Sequence, residues 1–125
     1  MSISSPPQGT YPYPNQLTWS RKEKSIARAA FDGALGRELQ ELIQETKRIA
    51  SQISQPSDLW DLERQLTKRR KEIDRKYEYR ASRLKDVVGR LLFENRITEE
   101  ELRGLSEDRM ESIRSFAKFL RDSAA

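Results

Sequence analysis

Pro56 stands between two long stretches of helical periodicity and constrains this chain more than any other residue. Proline lacks an amide donor and disfavours a helical conformation at the residue before it, so a first helix has to end ahead of Gln55. Ser51-Gln52-Ile53-Ser54-Gln55 therefore reads as a turn, and Pro56 suits the first turn of a second helix. Ser57 and Asp58 place oxygen acceptors beside that helix's free amides. The turn is short, so the two helices fold back on one another as an antiparallel hairpin.

The flanking patterns support this. In the first, Phe31, Leu35, Leu39, Leu42, Ile49 and Ile53 recur at helical spacing, with Thr46 filling the gap. From Leu35 onward the steps alternate four and three, which keeps one seam pointed at one partner helix. Gly33 and Gly36 either weaken this helix or permit close packing. The second pattern runs through Leu59, Leu62, Leu66, Ile73, Tyr77, Leu84, Val88 and Leu91, with only Gly89 as a weak point. It predicts one helix from Pro56 to about Asn95, on the order of 55 Å long. On this reading Leu39 lies in a buried seam, and Leu39→Asp should unfold the hairpin.

Beyond it, Thr98-Glu99-Glu100-Glu101 fits a capping box, in which threonine accepts the third amide and Glu101 reaches back. Gly104 suits a left-handed helix end, and Ser106 caps a last helix whose apolar face holds Met110, Ile113, Phe116, Phe119 and Leu120. The expected architecture is all-α: a tail over residues 1–17 rich in proline and tyrosine, a two-helix stalk over 18–95, a helical head over 96–121 and a short tail over 122–125. Tyr11-Pro12-Tyr13-Pro14 in the first tail is either a docking peptide or a tether.

Composition narrows the function. The chain has 125 residues, 35% of them charged, and contains neither cysteine nor histidine. Disulfides, thiolate nucleophiles, imidazole bases and the usual zinc and haem ligands are thereby removed. Its 20 acidic residues are interleaved with 24 basic ones, and none forms a metal cage or an isolated catalytic pair. A non-enzymatic protein without cofactor or metal is expected. No apolar run approaches the ~18 residues that span a bilayer, and the first residues lack the pattern of a secretion signal. A cytoplasmic location without membrane insertion follows as the expectation.

An isolated hairpin leaves the flanks of both helices wet, so self-association, typically as a two-fold dimer, is the expected remedy. Beside the apolar seam of the second helix, Trp60, Glu63, Thr67, Arg70, Asp74 and Tyr77 form a stripe of their own. Antiparallel crossing of two copies near Leu66 and Thr67 would set Glu63 of one chain against Arg70 of the other, twice. The alternative is a solvated face of internal ion pairs, each worth ~0.3–0.5 kcal/mol, with the tryptophan buried in its own hairpin. Periodicity alone does not separate the two. Lys68-Arg69-Arg70-Lys71, with Arg64, Arg75, Lys76, Arg80 and Arg83 nearby, offers a second class of function, a weak nucleic-acid surface. Interleaved carboxylates and a net charge of only +4 argue against it. A purely structural coiled coil without a client is a third.

Trp19-Ser20, Phe31, Arg37-Glu38-Leu39, Ser51-Gln52-Ile53, Asp58-Leu59-Trp60, Arg70, Glu72-Ile73-Asp74, Lys76-Tyr77, Arg80, Leu91-Leu92 and Glu100-Glu101-Leu102 together resemble the cyanobacterial fluorescence recovery protein family. The resemblance extends from about Trp19 to Phe119. It implies an all-helical dimer without cofactor or chemistry. Such a protein binds the red, photoactivated form of the orange carotenoid protein, mainly through that partner's C-terminal domain. It hastens return to the orange form and release from the phycobilisome, so that antenna fluorescence recovers. Any thylakoid association would run through the phycobilisome-bound client. Trp60 and Arg70 fall on the family's patch in the dimer region, with Glu63, Arg64, Thr67, Asp74 and Tyr77 around them. The segment from Leu102 to Leu120 matches the head, also implicated in partner contact, which makes Leu102, Leu105, Ile113 and Phe116 candidates there. One turn after the tryptophan the family has a polar pair ending in an acid, whereas this chain has Glu63 followed by Arg64. Asp86 and Ser112 replace an aromatic and a basic residue. These departures leave a divergent member with another protein client as the alternative reading.

Overall fold

The computed structural model describes residues 19–124, so the tail expected over residues 1–17 lies outside the described residues. Among the described residues four α-helices follow in order: α1 (Arg21–Ala50), α2 (Pro56–Lys76), α3 (Leu84–Phe93) and α4 (Glu107–Ala124). Single 3-10 turns precede α3 (Ala81–Arg83) and α4 (Glu100–Leu102). Among the described residues there is no strand.

The starts of α1, α2 and α4 have local causes. Ser20 and Glu23 form a capping box at α1: the Glu23 amide donates to Ser20 Oγ at 3.0 Å and the Ser20 amide to Glu23 Oε1 at 3.2 Å. Pro56 occupies the first turn of α2 as expected, and the Asp58 carboxylate accepts from the amides of Ser54 and Gln55, both at 3.1 Å. Thr98 and Glu101 reciprocate, with Glu101 Oε1 accepting from the Thr98 amide at 3.0 Å and Thr98 Oγ1 from the Glu101 amide at 3.3 Å. Ser106 Oγ accepts the Arg109 amide at 3.2 Å at the start of α4. Gly104 has φ +106°, the left-handed region, and a Cβ there would lie 2.6 Å from Ile26 Cδ1. Gly104→Ala is therefore expected to destabilise the fold by about 1–3 kcal/mol, read as a lower denaturant midpoint in urea unfolding.

The second helix differs from its expected length. It ends at Lys76, leaving α2 of 21 residues, about 31 Å long, instead of a rod to Asn95. No proline or glycine stops it; tertiary burial does. Past Lys76 the chain turns back, so that Leu84, Val87, Val88 and Leu91 reach the small residues Ala27, Ala30 and Ala34 of α1 and the apolar face of α4. Burying one such side chain contributes roughly 1.5–3 kcal/mol, whereas helix propensity differs by a few tenths per residue. In a continued rod, Leu91 would stand about 22 Å beyond Lys76 with nothing to pack on. At the turn, the Tyr77 and Tyr79 rings each meet Phe31 edge-on at 5.3 Å.

α3 and α4 make the most extensive helix contact in the molecule. Gly89, a weak point by propensity, is the site of their closest approach: a Cβ there would sit 2.9 Å from Phe116 Cδ2 and 3.3 Å from the Ile113 carbonyl oxygen. Asn95, at φ 60°, reverses the chain after α3, and the Arg96 amide donates to the Leu91 carbonyl at 2.8 Å. At the other end, Asp122–Ala124 belong to α4 and not to a separate tail.

The stalk, formed by α2 and the second half of α1, is thinly covered. Leu42, Ile49, Ile53 and Leu62 are half-buried between the helices. Leu39, Leu59 and Leu66, assigned to the seam by their spacing, are 40%, 50% and 37% exposed, and Ile43 is 43% exposed. A single neighbouring helix covers only about one stripe; Leu66, at the edge of the cleft between α1 and α2, is partly covered by it.

Candidate functional site

The stripe on α2 is exposed over most of its length. Trp60 is 61% exposed, and Glu63, Arg64, Thr67, Arg70 and Asp74 are all open to solvent. The tryptophan is therefore not buried in its own hairpin. Local pairing is weak: Thr67 Oγ1 donates to Glu63 Oε2 at 3.0 Å, Arg70 Nε stands 3.9 Å from Asp74, and Arg64 pairs with Asp61. Leu59 and Leu66 adjoin this stripe on the helix wheel, and Leu39 and Ile43 are the exposed large apolar residues of α1.

Tyr77 departs from the group. It is buried, its hydroxyl donates to Glu38 Oε1 at 2.7 Å, and it belongs to the junction between stalk and head. The chain leaves helical geometry at this residue and turns the ring inward against Phe31.

Spacing did not single out the centre of that junction. Glu38 is 1% exposed and receives Lys76 Nζ at 2.8 and 2.9 Å as well as the Tyr77 hydroxyl. Arg69 and Arg96 approach the same carboxylate to 3.5 and 3.6 Å. Lys76 also reaches Glu94 at 2.7 Å, and Arg96 reaches Glu41 at 2.7 Å. The cluster thus ties α1, the last turns of α2 and the loop after α3 to one buried group. Burial alone would raise the Glu38 pKa, but hydrogen bonds from Lys76 and Tyr77 and the charges of Lys76 and Arg96 hold it below the ordinary carboxylate value. Burial and the adjacent Glu38 push the Tyr77 phenol well up, so it stays a donor. The signal was a charged residue in a core register, since Phe31, Ala34, Glu38 and Leu42 follow one another at three- and four-residue steps.

In the head, Leu102 and Ile113 are 1% and 0% exposed; both form the core and are closed to a partner. Their neighbours Leu105 and Phe116 are half-buried. Phe116 stacks on Phe119 with ring centroids 6.1 Å apart, and Phe119 is 61% exposed. The outward apolar residue of the head is thus Phe119, one turn from Phe116, beside a surface of Lys85, Asp108, Glu111, Ser112 and Ser115.

The basic run on α2 is divided by pairing. Arg69 meets Glu38 and Glu72, Arg70 meets Asp74, Lys76 meets Glu38 and Glu94, and Arg80 meets Glu78. Among the described residues, no group of acidic, histidine or cysteine side chains is arranged to hold a metal ion. No helix among the described residues is long and apolar enough to cross a membrane.

Residues 19–117 match the family model described as "Photoprotection regulator fluorescence recovery protein". The chain belongs to the fluorescence recovery protein family. A curated relative, the fluorescence recovery protein of Synechocystis sp., is 40% identical over 103 residues, spanning 82% of this chain and 94% of the relative. The solved structure of the Fremyella diplosiphon fluorescence recovery protein superposes with a TM-score of 0.76 at 39% identity, covering 81% of this chain and 99% of that one. The Synechocystis structure does so with the same TM-score at 40% identity, covering 81% and 99%. The all-helical fold and the place of this chain among regulators of photoprotection stand on these matches. The matched region contains the α2 stripe and the head as far as Ala117, and leaves out residues 1–18 and 118–125, Phe119 among them.

Proposed function

We propose that this chain is a non-enzymatic recovery factor: a homodimer that binds the photoactivated red orange carotenoid protein through its C-terminal domain, hastens reversion to the orange form and promotes release from the phycobilisome. It acts in the cytoplasm and meets the thylakoid surface only through that client. One observation carries the reading beyond family membership: Trp60 and the leucines beside it stand exposed on α2 among the described residues. Contiguous apolar surface of this kind is a mark of interaction sites.

Self-association and client contact divide the exposed apolar residues between them. Leu39, Ile43, Leu59 and Leu66 supply the self-association face, with Glu63 and Arg70 at its edge, free to pair across a two-fold axis near Leu66 and Thr67. Trp60, at the N-terminal end of α2, and Phe119, on the head, are the aromatic anchors for the client. To accelerate a conformational return, the dimer has to bind an on-path or barrier conformation more tightly than the red state, because equal affinity for both shifts nothing.

The test is complex formation, followed by size-exclusion chromatography with illuminated and dark-adapted orange carotenoid protein. Co-elution with the illuminated form, together with a loss of about tenfold or more in affinity for Trp60→Leu at unchanged helix content, is the expected result. Equal co-elution with both forms, or a Trp60→Leu chain that binds normally, refutes the assignment.

A further inference from the structure

The ion pairs that divide the basic run on α2 leave a regular remainder. Arg64, Lys68, Lys71 and Arg75 follow one another at steps of four, three and four, all exposed, and occupy one ridge about 16 Å long. Arg64 touches Asp61; Lys68, Lys71 and Arg75 have no carboxylate within ion-pair distance among the described residues. Ile73, Leu62 and Arg69 mark the side of α2 turned to α1, and at about 100° per residue the ridge is centred away from it, with Lys68 also reaching the rim of the α1–α2 cleft. It is also turned away from Leu59 and Leu66, so self-association through those residues leaves it open. A shallow trough lined by Glu63, Arg64, Thr67, Lys68, Lys71, Glu72 and Arg75 follows it.

We propose that this ridge docks an acidic α-helix of a partner protein, one that carries Asp or Glu at the same four-three-four spacing. Spacing and width both select that occupant. A straight helix repeats side chains every three or four residues, so a row of carboxylates on one helix meets a row of cations on another without distortion of either. The cationic row is also only one residue wide. Glu63 and Asp74 border it on one side, and Asp61 and Glu72 on the other. A nucleic-acid duplex presents phosphates across a groove about 12 Å wide and would bring negative charge onto those carboxylates. A helix with a single acidic row does not, and basic residues flanking that row would find Glu63 and Glu72 as partners. The ridge borders the Trp60 stripe at Arg64 but uses neither apolar anchor assigned to the carotenoid-protein client, and its test does not use that client.

The probe is a labelled, helix-forming peptide with glutamates at positions i, i+4, i+7 and i+11. Its binding to the full-length chain is read by fluorescence anisotropy at about 0.02 M salt, where charges are little screened. A scrambled peptide of identical composition and a random 20-base-pair duplex are the comparison arms. The registered peptide should bind about tenfold more tightly than the scrambled one, and the double substitution Lys68→Gln with Lys71→Gln should remove about tenfold of that affinity. The substitution Lys24→Gln with Lys47→Gln removes the same charge from exposed, unpaired positions of α1 and should change binding less than twofold. Should the first pair disturb the melting curve, Arg75→Gln alone, at the outer end of the ridge, is expected to lose about threefold. Equal binding of registered and scrambled peptides, equal losses from both double substitutions, or tighter binding of the duplex would each overturn the proposal.

Discussion

Glu38→Ala is expected to lower the free energy of unfolding by about 3–5 kcal/mol, because it removes the shared carboxylate and leaves partners buried around an empty site. Lys76 keeps Glu94 and Arg96 keeps Glu41, but the Tyr77 hydroxyl loses its acceptor and three cations lose the charge between them. That amount is a large fraction of the stability of a small domain, so chemical denaturation by circular dichroism reads it directly. The pH dependence of stability gives a second readout. The folded Glu38 pKa lies below that of the unfolded chain, about 4.3, so its contribution is present above that pH and is lost as pH falls through the folded value. Glu23 and Glu94 act in the same direction: burial opposes the ionised form in both, backbone amides of Ser106 and Ser20 outweigh it at Glu23, and Lys76 and Arg90 outweigh it at Glu94. Wild-type stability should therefore decline below about pH 4.3, and the Glu38→Ala chain should decline less steeply. Identical slopes, or a loss under 1 kcal/mol on the order of an ordinary surface substitution, would show that the cluster does not hold the junction.

Leu39→Asp is expected to act on assembly rather than on folding. With the side chain 40% exposed in the single chain, a carboxylate there keeps its contact with water, so the monomer should melt within a few degrees of wild type. In a two-fold dimer the change counts twice. Losing two buried leucines at about 1.5 kcal/mol each corresponds to roughly a hundredfold weaker dimer. Analytical ultracentrifugation at micromolar concentration separates the cases: a folded monomer is expected, and a folded dimer would place the self-association face elsewhere.

The contrast between Glu38 and Leu39 shows how far the amino-acid order carries. Residues whose neighbours are close in sequence were legible: Pro56 at its helix start, the Thr98–Glu101 box, Gly104 in its left-handed turn and Ser106 at its cap all depend on atoms within a few positions. The end of α2 at Lys76 was not, because it is decided by alanines of α1 that lie more than forty residues earlier in the chain. Leu39 and Leu66 kept a seam-like spacing although the hairpin leaves 40% and 37% of them exposed, since periodicity records that a residue is apolar and not how fully it is covered. Glu38 carries the converse lesson. A carboxylate in a core register reads as an interruption until Lys76, Tyr77 and Arg96 are brought to it by the fold. Within the candidate surface, α2 periodicity grouped Trp60, Glu63, Thr67, Arg70, Asp74 and Tyr77, of which all but Tyr77 are exposed; Arg64, Leu102 and Ile113 came from the family resemblance, and of these Leu102 and Ile113 turn into the core.

The most direct test of the central claim is the dark rate at which red orange carotenoid protein returns to its orange absorbance, with and without a substoichiometric amount of this chain. Acceleration of the whole red population by one dimer per many clients is predicted, since a factor that stabilises the barrier state is released with each turnover. A recovery rate unchanged even at equimolar chain would contradict the account.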